Sequence, residues 1–332
     1  MICGNMRLAI VGITGLVGQE ILHVLEERNS LIQQLLPVAS TDSSGQSIHW
    51  AGQEYSIMSL EEALAENPQI ALFAAGTEIS EIWAPRFAAT GTTVIDNSTA
   101  WRMHPAHKLI VPEVNGHLLQ ASDRIIANPN CSTIQLVMAL APLHQHYGIH
   151  RLVISTYQAV TGSGKQAVAQ LMAERQVVDD VPQCYPHAID LNVIPHVDDF
   201  LDDGYTKEEM KLVNETQKIL GNSSIRITAT AVRVPVLGGH SMSVNVELTQ
   251  AFHLDEVTQL LHNTPGVVVQ DNVSQYQYPM PLHVRHKDAV FVGRLRRDCT
   301  QPYALDMWIV ADNLRKGAAT NAVQIADLVH RL

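Results

Sequence analysis

A lone cysteine in Asn130-Cys131-Ser132-Thr133 and an arginine and histidine flanking a glycine turn, Arg233-Val234-Pro235-Val236-Leu237-Gly238-Gly239-His240, are the side chains best suited to covalent chemistry. A thiolate is a strong nucleophile. Histidine moves protons near neutral pH, an effect typically of about 10²–10⁴-fold. The arginine fork matches a carboxylate. Cysteine with a distant histidine is a workable nucleophile and base, but the spacing leaves open whether the two meet, because the chain has 16 histidines. Cys131 also reads as a small buried apolar residue. Gln158, at the end of a β-like run, reads either as a substrate-orienting group or as a polar residue at a sheet edge. Arg102 follows a strand and reads either as an anion clamp or as a surface arginine. Glu208 and Lys211 lie three apart on one helix face and by themselves read as an exposed ion pair, which contributes little. Asn313 reads first as a residue near a helix cap.

These groups need elements to hold them. The short apolar run Ile125-Ile126-Ala127 precedes Asn128-Pro129-Asn130, and Ile134, Val137, Met138 and Ala141 then recur at helical spacing. Ser132 and Thr133 are good helix starters, so Cys131 sits where a helix begins and the dipole favours a thiolate. At the N-terminus a strand over Met6–Val11 runs into Gly12-Ile13-Thr14-Gly15-Leu16-Val17-Gly18 and a helix over Glu20–Arg28. Strand, glycine turn and helix form the dinucleotide-binding opening, here with G-x-x-G-x-x-G spacing. A second strand, Leu35–Ala39, ends in Ser40-Thr41-Asp42-Ser43, where such folds read the adenosine ribose. The hydroxyls suit a 2′-phosphate and Asp42 suits a free 2′-hydroxyl, so local chemistry leaves NADP and NAD both open.

Helix Leu60–Glu66, strand Ile70–Gly76, helix Glu81–Thr90 and strand Thr93–Asp96 continue the alternation and predict a parallel sheet. After the Cys131 helix the texture changes. Long β segments are predicted over Arg151–Val160, Ile225–Val236, Ser241–Gln250, Ala289–Leu295 and Tyr303–Ala311, with helices over Ala167–Val178 and Lys207–Leu220. Polar alternation in such strands predicts a mixed or antiparallel sheet covered on one face. A last helix, Ala318–His330, is expected to pack back on the first domain. The fold class is α/β: a Rossmann-type parallel-sheet domain (1–129 and 313–332) and an α+β catalytic and dimerisation domain with a mixed sheet (130–312).

A net charge of −11 argues against nucleic acid or an anionic membrane as partner, while a local Arg/Lys cluster still allows a small anionic substrate. No apolar run reaches transmembrane length, and the N-terminus lacks an export pattern. Cys3, Cys131, Cys184 and Cys299 show no metal or disulfide spacing. The expectation is a reduced, cytoplasmic protein without a metal.

Taken together, Gly12-to-Gly18, Asn130-Cys131-Ser132, Gln158, Thr161-Gly162-Ser163-Gly164, Arg233-to-His240 and Asp312-Asn313-Leu314-Arg315-Lys316-Gly317-Ala318-Ala319 resemble the aspartate-semialdehyde dehydrogenase family in order and spacing over essentially the whole chain. The resemblance implies NADPH-dependent conversion of 4-aspartyl phosphate to L-aspartate 4-semialdehyde and inorganic phosphate, on the route to lysine (through diaminopimelate), threonine and methionine, by a homodimer. It implies Cys131 as the nucleophile that carries a thioester, His240 as general acid/base, and Gln158 as orienting the acyl group. It further implies Arg233 as clamp on the α-carboxylate, Glu208 at the amino group, Arg102 and Lys211 on phosphate, and Asn130 beside the substrate. Thr14, Gly15, Leu16, Val17, Thr161, Gly162 and Asn313 would touch the cofactor, and N–H groups at the start of the Cys131 helix would hold the oxyanion. Many members carry arginine where this chain has Asp42, while others have Ser-Thr followed by Gly-Gln as here. NADP is therefore expected, with weakened preference and NAD possible. The nearest rival is N-acetyl-gamma-glutamyl-phosphate reductase, which usually has Pro-Gly before its cysteine where this chain has Pro129-Asn130. A catalytically silent nucleotide-binding dimeric paralogue is a further alternative, disfavoured by the intact Cys131, Gln158, Arg233 and His240.

Overall fold

The computed structural model describes residues 6–30, 32–40, 45–177 and 183–332, so the readings placed on Thr41, Asp42 and Ser43 lie outside the described residues. The chain divides into two compact units, 1–129 with 318–332 and 130–317. Among the described residues no helix is long and apolar enough to cross a membrane.

Unit 1 opens with β1 (Arg7–Val11), α1 (Leu16–Glu27), β2 (Gln34–Val38), a hairpin of β3 (Ser47–Trp50) and β4 (Gln53–Ser56), and α2 (Leu60–Ala65). It continues with β5 (Ile70–Phe73), α3 (Thr77–Ala89), β6 (Thr93–Asp96), β7 (Lys108–Leu109), α4 (Pro112–Asn115) and β8 (Ile125–Ala127). The sheet order is β2-β1-β5-β6-β8-β7, parallel throughout. Period-two geometry sends alternate residues to opposite faces. Leu8, Ile10, Ile70 and Leu72 join one apolar cluster, and Ala9, Val11, Ala71 and Phe73 join another with Trp83 and Phe87 of α3. Both faces are covered, which is why these strands read as continuous apolar runs.

The glycine turn is shaped by contact. Gly12 has φ +90°, and a Cβ there would lie 2.5 Å from the Ala74 carbonyl oxygen. A Cβ on Gly18 would lie 2.3 Å from the Gly12 oxygen. Side chains are excluded at both positions, so β1, β5 and the first turn of α1 close on one another. Helix α1 starts at Leu16 rather than near Glu20, because Gly15 with extended dihedrals is its N-cap. Likewise α3 starts at Thr77 rather than Glu81, after Gly76 at φ +94°. The β3–β4 hairpin, β7 and α4 had no expectation: they are short, polar or Pro-led, and their pairing is tertiary.

Unit 2 comprises α5 (Cys131–Tyr147), β9 (Ile149–Gln158), α6 (Lys165–Gln176), α7 (Lys207–Leu220), β10 (Arg226–Arg233) and β11 (His240–Leu248). α8 (Leu254–His262), β12 (Val267–Val269), α9 (Pro281–Val284), β13 (Val290–Arg297) and β14 (Ala304–Ala311) follow. Its sheet runs β10-β9-β11-β14-β13-β12. The outer pairs β10/β9 and β12/β13 are parallel and the inner ones antiparallel, so the sheet is mixed. Helix α5 is buried along most of its length. On β9 burial alternates, with Leu152, Ile154 and Thr156 inside and Tyr157 outward at 37% exposure.

The chain returns to unit 1 through a π turn, Arg315–Ala319, and α10 (Thr320–Val329). Ala322, Val323, Ile325 and Ala326 of α10 enter the first apolar cluster. The boundary falls at 318 rather than 313. Asn313 is tied within unit 2 to Thr161 and the Gly239 N–H, and a Cβ on Gly317 would meet the Cys131 Cβ at 2.9 Å.

Candidate active site

Strand register alone gathers three of the chemistry-bearing side chains. Arg233 ends β10 opposite Gln158, which ends the parallel strand β9. On the other side of β9, antiparallel β11 begins at His240, and Ser241 pairs with Tyr157. His240 in turn pairs with Ala311, the last residue of β14, so Asp312 and Asn313 emerge at the same sheet end. The 3₁₀ turn Val160–Ser163 follows β9, and its Gly162 lies against Arg233 and His240. A Cβ on Gly162 would lie 2.9 Å from Arg233 Nη1 and 3.1 Å from His240 Nε2. Only glycine fits without displacing both.

Cys131 starts α5, and Asn130 is its N-cap: Asn130 Oδ1 accepts from the Ser132 and Thr133 N–H groups at 2.9 and 3.3 Å. Ser132 and Thr133 are therefore first-turn residues, not the cap. Those two N–H groups are engaged by Asn130, which weakens the expectation that the helix start supplies the oxyanion donors. The helix is pinned to the sheet end at two points. Gln158 Nε2 donates to Ser132 Oγ at 2.7 Å, and Gln135, one turn after Cys131, donates to the His240 carbonyl at 3.2 Å.

Helix α7 supplies the charges. Glu208 accepts from Gln158 Nε2 at 2.8 Å and from Asn130 Nδ2 at 3.0 and 3.1 Å. Lys211 Nζ reaches Glu208 Oε2 at 3.1 Å and Asp198 Oδ2 at 2.6 Å. The Glu208–Lys211 pair expected at the surface is instead part of a buried network, with Glu208 only 5% exposed. Burial pushes the Glu208 carboxyl up, but the Lys211 charge and the hydrogen bonds from Gln158, Asn130 and Lys211 outweigh it and hold the group below its usual range. Burial pushes Lys211 down, and Glu208 and Asp198 more than offset it, leaving the ammonium firmly protonated. Glu215, two turns beyond Glu208 on the same face of α7, accepts the Asn130 backbone N–H at 2.7 Å.

His240 is fully buried. The Ala159 N–H donates to its Nδ1 at 3.0 Å. A nitrogen that accepts is not protonated, so the neutral ring carries its proton on Nε2. Burial, and then the charge of Arg233, holds the His240 pKa well below the ordinary histidine value. Arg233 donates from Nη1 to the Ala159 carbonyl at 2.7 Å. Among the described residues His240 Nε2, Arg233 Nε and Gln158 Oε1 are buried without a hydrogen-bond partner. Buried polar atoms are rarely left so, and these three stand on adjacent strand ends. They offer two donors and an acceptor to a bound polar molecule.

In unit 1, Arg102 is buried. Its Nε donates to the Asn128 carbonyl at 3.0 Å and its Nη2 to the Asn97 carbonyl at 2.6 Å, so the surface-arginine reading is corrected. Asp96 beside it is pushed up by burial, against hydrogen bonds from Ser98 and Ser80 and the Arg102 charge. The first turn of α1 carries no acidic residue and Gly15 offers no capping side chain. That turn, from which side chains are excluded, fits a dinucleotide pyrophosphate. Ser40, just beyond β2, is exposed. In unit 2, Thr161 and Asn313 hold one another at 3.0 Å.

Asp198 and Glu215 had no signal in the sequence beyond charge. The i, i+3, i+7 spacing of Glu208, Lys211 and Glu215 marks a common face, and a capping box from Thr206 and Glu209 fixes where that helix starts.

A pyrophosphate-shaped glycine turn in one unit and, in the other, a cysteine that starts a helix tied to the sheet end carrying histidine, arginine and glutamine fit a nucleotide-dependent oxidoreductase of the semialdehyde dehydrogenase class. Residues 7–122 match the family described as semialdehyde dehydrogenase, NAD binding domain, and residues 140–316 match semialdehyde dehydrogenase, dimerisation domain. The chain is 48% identical to the aspartate-semialdehyde dehydrogenase of Aquifex aeolicus, with 97% of each chain covered. Crystal structures of aspartate semialdehyde dehydrogenase II from Vibrio cholerae, one of them complexed with ASA, are 40% identical, cover 99% of each chain and superpose with a TM-score of 0.93. The chain belongs to the aspartate-semialdehyde dehydrogenase family.

Proposed function

We propose that the enzyme converts 4-aspartyl phosphate to L-aspartate 4-semialdehyde and inorganic phosphate through a thioester on Cys131, with NADPH as reductant, in lysine, threonine and methionine biosynthesis. The observation that carries this reading is the set of unpartnered buried atoms, His240 Nε2, Arg233 Nε and Gln158 Oε1, on strand ends to which the Cys131 helix is pinned. The Cys131 sulfur attacks the acyl carbon, the carbon–oxygen bond to phosphate breaks, and the acyl group stays on sulfur. Gln158 orients that group, Arg233 takes the α-carboxylate, and Glu208 meets the amino group. Lys211 and Arg102 are phosphate ligands. The Gly12–Gly18 turn would hold the pyrophosphate of the nicotinamide cofactor, which when bound would supply hydride to the thioester carbon; in unit 2, Thr161, Gly162 and Asn313 are assigned cofactor contacts. His240 offers its Nε2 proton to the carbonyl oxygen as negative charge grows there; as that proton returns to Nε2 the carbonyl re-forms, the carbon–sulfur bond breaks, and the aldehyde leaves the Cys131 thiolate. NADP is the preferred cofactor, with the preference blunted by Asp42.

The test is nicotinamide reduction with aspartate semialdehyde, with and without inorganic phosphate, using NADP and NAD in parallel. Strict phosphate dependence with NADP faster than NAD is expected. Turnover with N-acetylglutamate semialdehyde instead would favour the rival reductase, and none with either would favour a silent protein.

The partner is a second copy of the chain, docked on the outward face of the unit 2 sheet. Tyr157 and Trp308 lie there 5.3 Å apart, with Tyr157 and Met280 partly exposed. Sedimentation is expected to give twice the chain mass, and a monomer at micromolar concentration would refute it.

A further inference from the structure

Two consecutive aspartates in the loop before α7 bind two lysines one helical turn apart. Asp199 pairs with Lys207 at 2.7 Å, where the side chains are 76% and 53% exposed, an ordinary surface ion pair. Asp198 pairs with Lys211 at 2.6 Å, and there the side chains are only 31% and 21% exposed. The Asp198 carboxylate is aimed by its own backbone. The residue has φ +69°, a left-handed conformation that non-glycine residues seldom adopt, and its Oδ1 accepts the Asp199 N–H at 2.9 Å. Burial raises the Asp198 carboxyl, but Lys211 and the Asp199 N–H bring it below its ordinary value, so it is ionised at neutral pH.

An ammonium has three donors, and in Lys211 two of them face carboxylates. The two carboxylates differ in what ties them down. Glu208 also holds Gln158 and the Asn130 cap of the Cys131 helix, so releasing it would loosen the start of that helix. Asp198 holds only its loop and the lysine among the contacts above. It is the partner that can yield.

We propose that Asp198 is a positioning residue that competes with inorganic phosphate for the Lys211 ammonium, keeping phosphate binding weak enough for the leaving group to depart. This rests on the reading of Lys211 as a phosphate ligand. A phosphate dianion that approaches Lys211 meets the Asp198 charge within one side chain's reach and must share or displace it.

The substitution Asp198→Asn removes the charge; its single amide oxygen can keep the Asp199 N–H bond that Oδ1 makes, while the amide NH2 takes the place of the Oδ2 that Lys211 holds. In the semialdehyde-oxidising direction its KM for inorganic phosphate is expected to fall by roughly threefold to tenfold, the scale of one partly screened neighbouring charge, while the KM for aspartate semialdehyde stays put. Asp198→Glu is expected to return the phosphate KM toward wild type. An unchanged or raised phosphate KM in Asp198→Asn overturns the proposal. Lys211→Met is measured alongside. If it raises the phosphate KM while Asp198→Asn does nothing, only the role of Asp198 fails. If Lys211→Met leaves phosphate KM untouched, the phosphate reading of Lys211 fails, and the proposal with it.

Discussion

Replacing Cys131 by serine is expected to leave a folded protein that still binds nicotinamide nucleotide but turns over more slowly by roughly 10³-fold or more. The fold survives because the α5 cap belongs to Asn130, whose Oδ1 holds the Ser132 and Thr133 N–H groups, and because serine is nearly isosteric. A side chain at position 317 would crowd the Cys131 Cβ, which is why glycine stands there. Chemistry fails because a hydroxyl stays protonated where a thiol at a helix start can ionise. An unchanged urea midpoint and unchanged nucleotide affinity, beside lost phosphate-dependent NADP reduction, is the expected pattern. Retained turnover would sink the thioester mechanism.

His240→Asn is expected to lower kcat by about 10²–10⁴-fold. An asparagine oxygen can accept the Ala159 N–H in place of Nδ1, so the sheet end should hold while the Nε2 proton is lost. The pH dependence follows from the depressed pKa. The folded His240 stays neutral as pH falls through 6.5, whereas the same residue in the unfolded chain takes up a proton. Stability from this group is therefore full above about pH 6.5 and is lost as pH falls below it, by up to about 1.4 kcal/mol per pH unit until the folded group titrates. Urea unfolding at pH 7.5 and 5.5 should show a smaller acid loss in His240→Asn than in wild type. His240 should contribute no acid limb near pH 6.5 to the kcat/KM profile of wild type. Such a limb, abolished by the substitution, would mean that His240 titrates normally and that its ring is not held as the neutral Nε2–H form.

The glycine turn was legible because a strand and a helix on either side announce it and Gly12 sits at φ +90°, both local causes, whereas the close contact with Ala74 that also excludes a Cβ is tertiary. The alternation that gives the parallel sheet is legible for the same reason, as is the helix that begins at Cys131. Element ends were less so. The starts of α1 and α3 are set by Gly15 and Gly76, which as N-caps contribute conformation rather than a hydrogen-bonding side chain.

What the resemblance named as separate residues, tertiary structure assembles. Gln158, Arg233 and His240 lie side by side only because β10 runs parallel and β11 antiparallel to β9 in one register, and no spacing along the chain encodes a register. Glu208 and Lys211 look like any surface pair until α7 turns that face toward Asn130. The group that fixes which His240 nitrogen carries the proton is the N–H of Ala159. Nearly every residue has such an N–H, so residue identity alone gives no sign of it. Glycine placement and apolar period determined the fold class, and residue identity determined which side chains could do chemistry. Burial, register and backbone hydrogen bonds decided their charge, tautomer and mutual reach, because those depend on neighbours that only folding supplies.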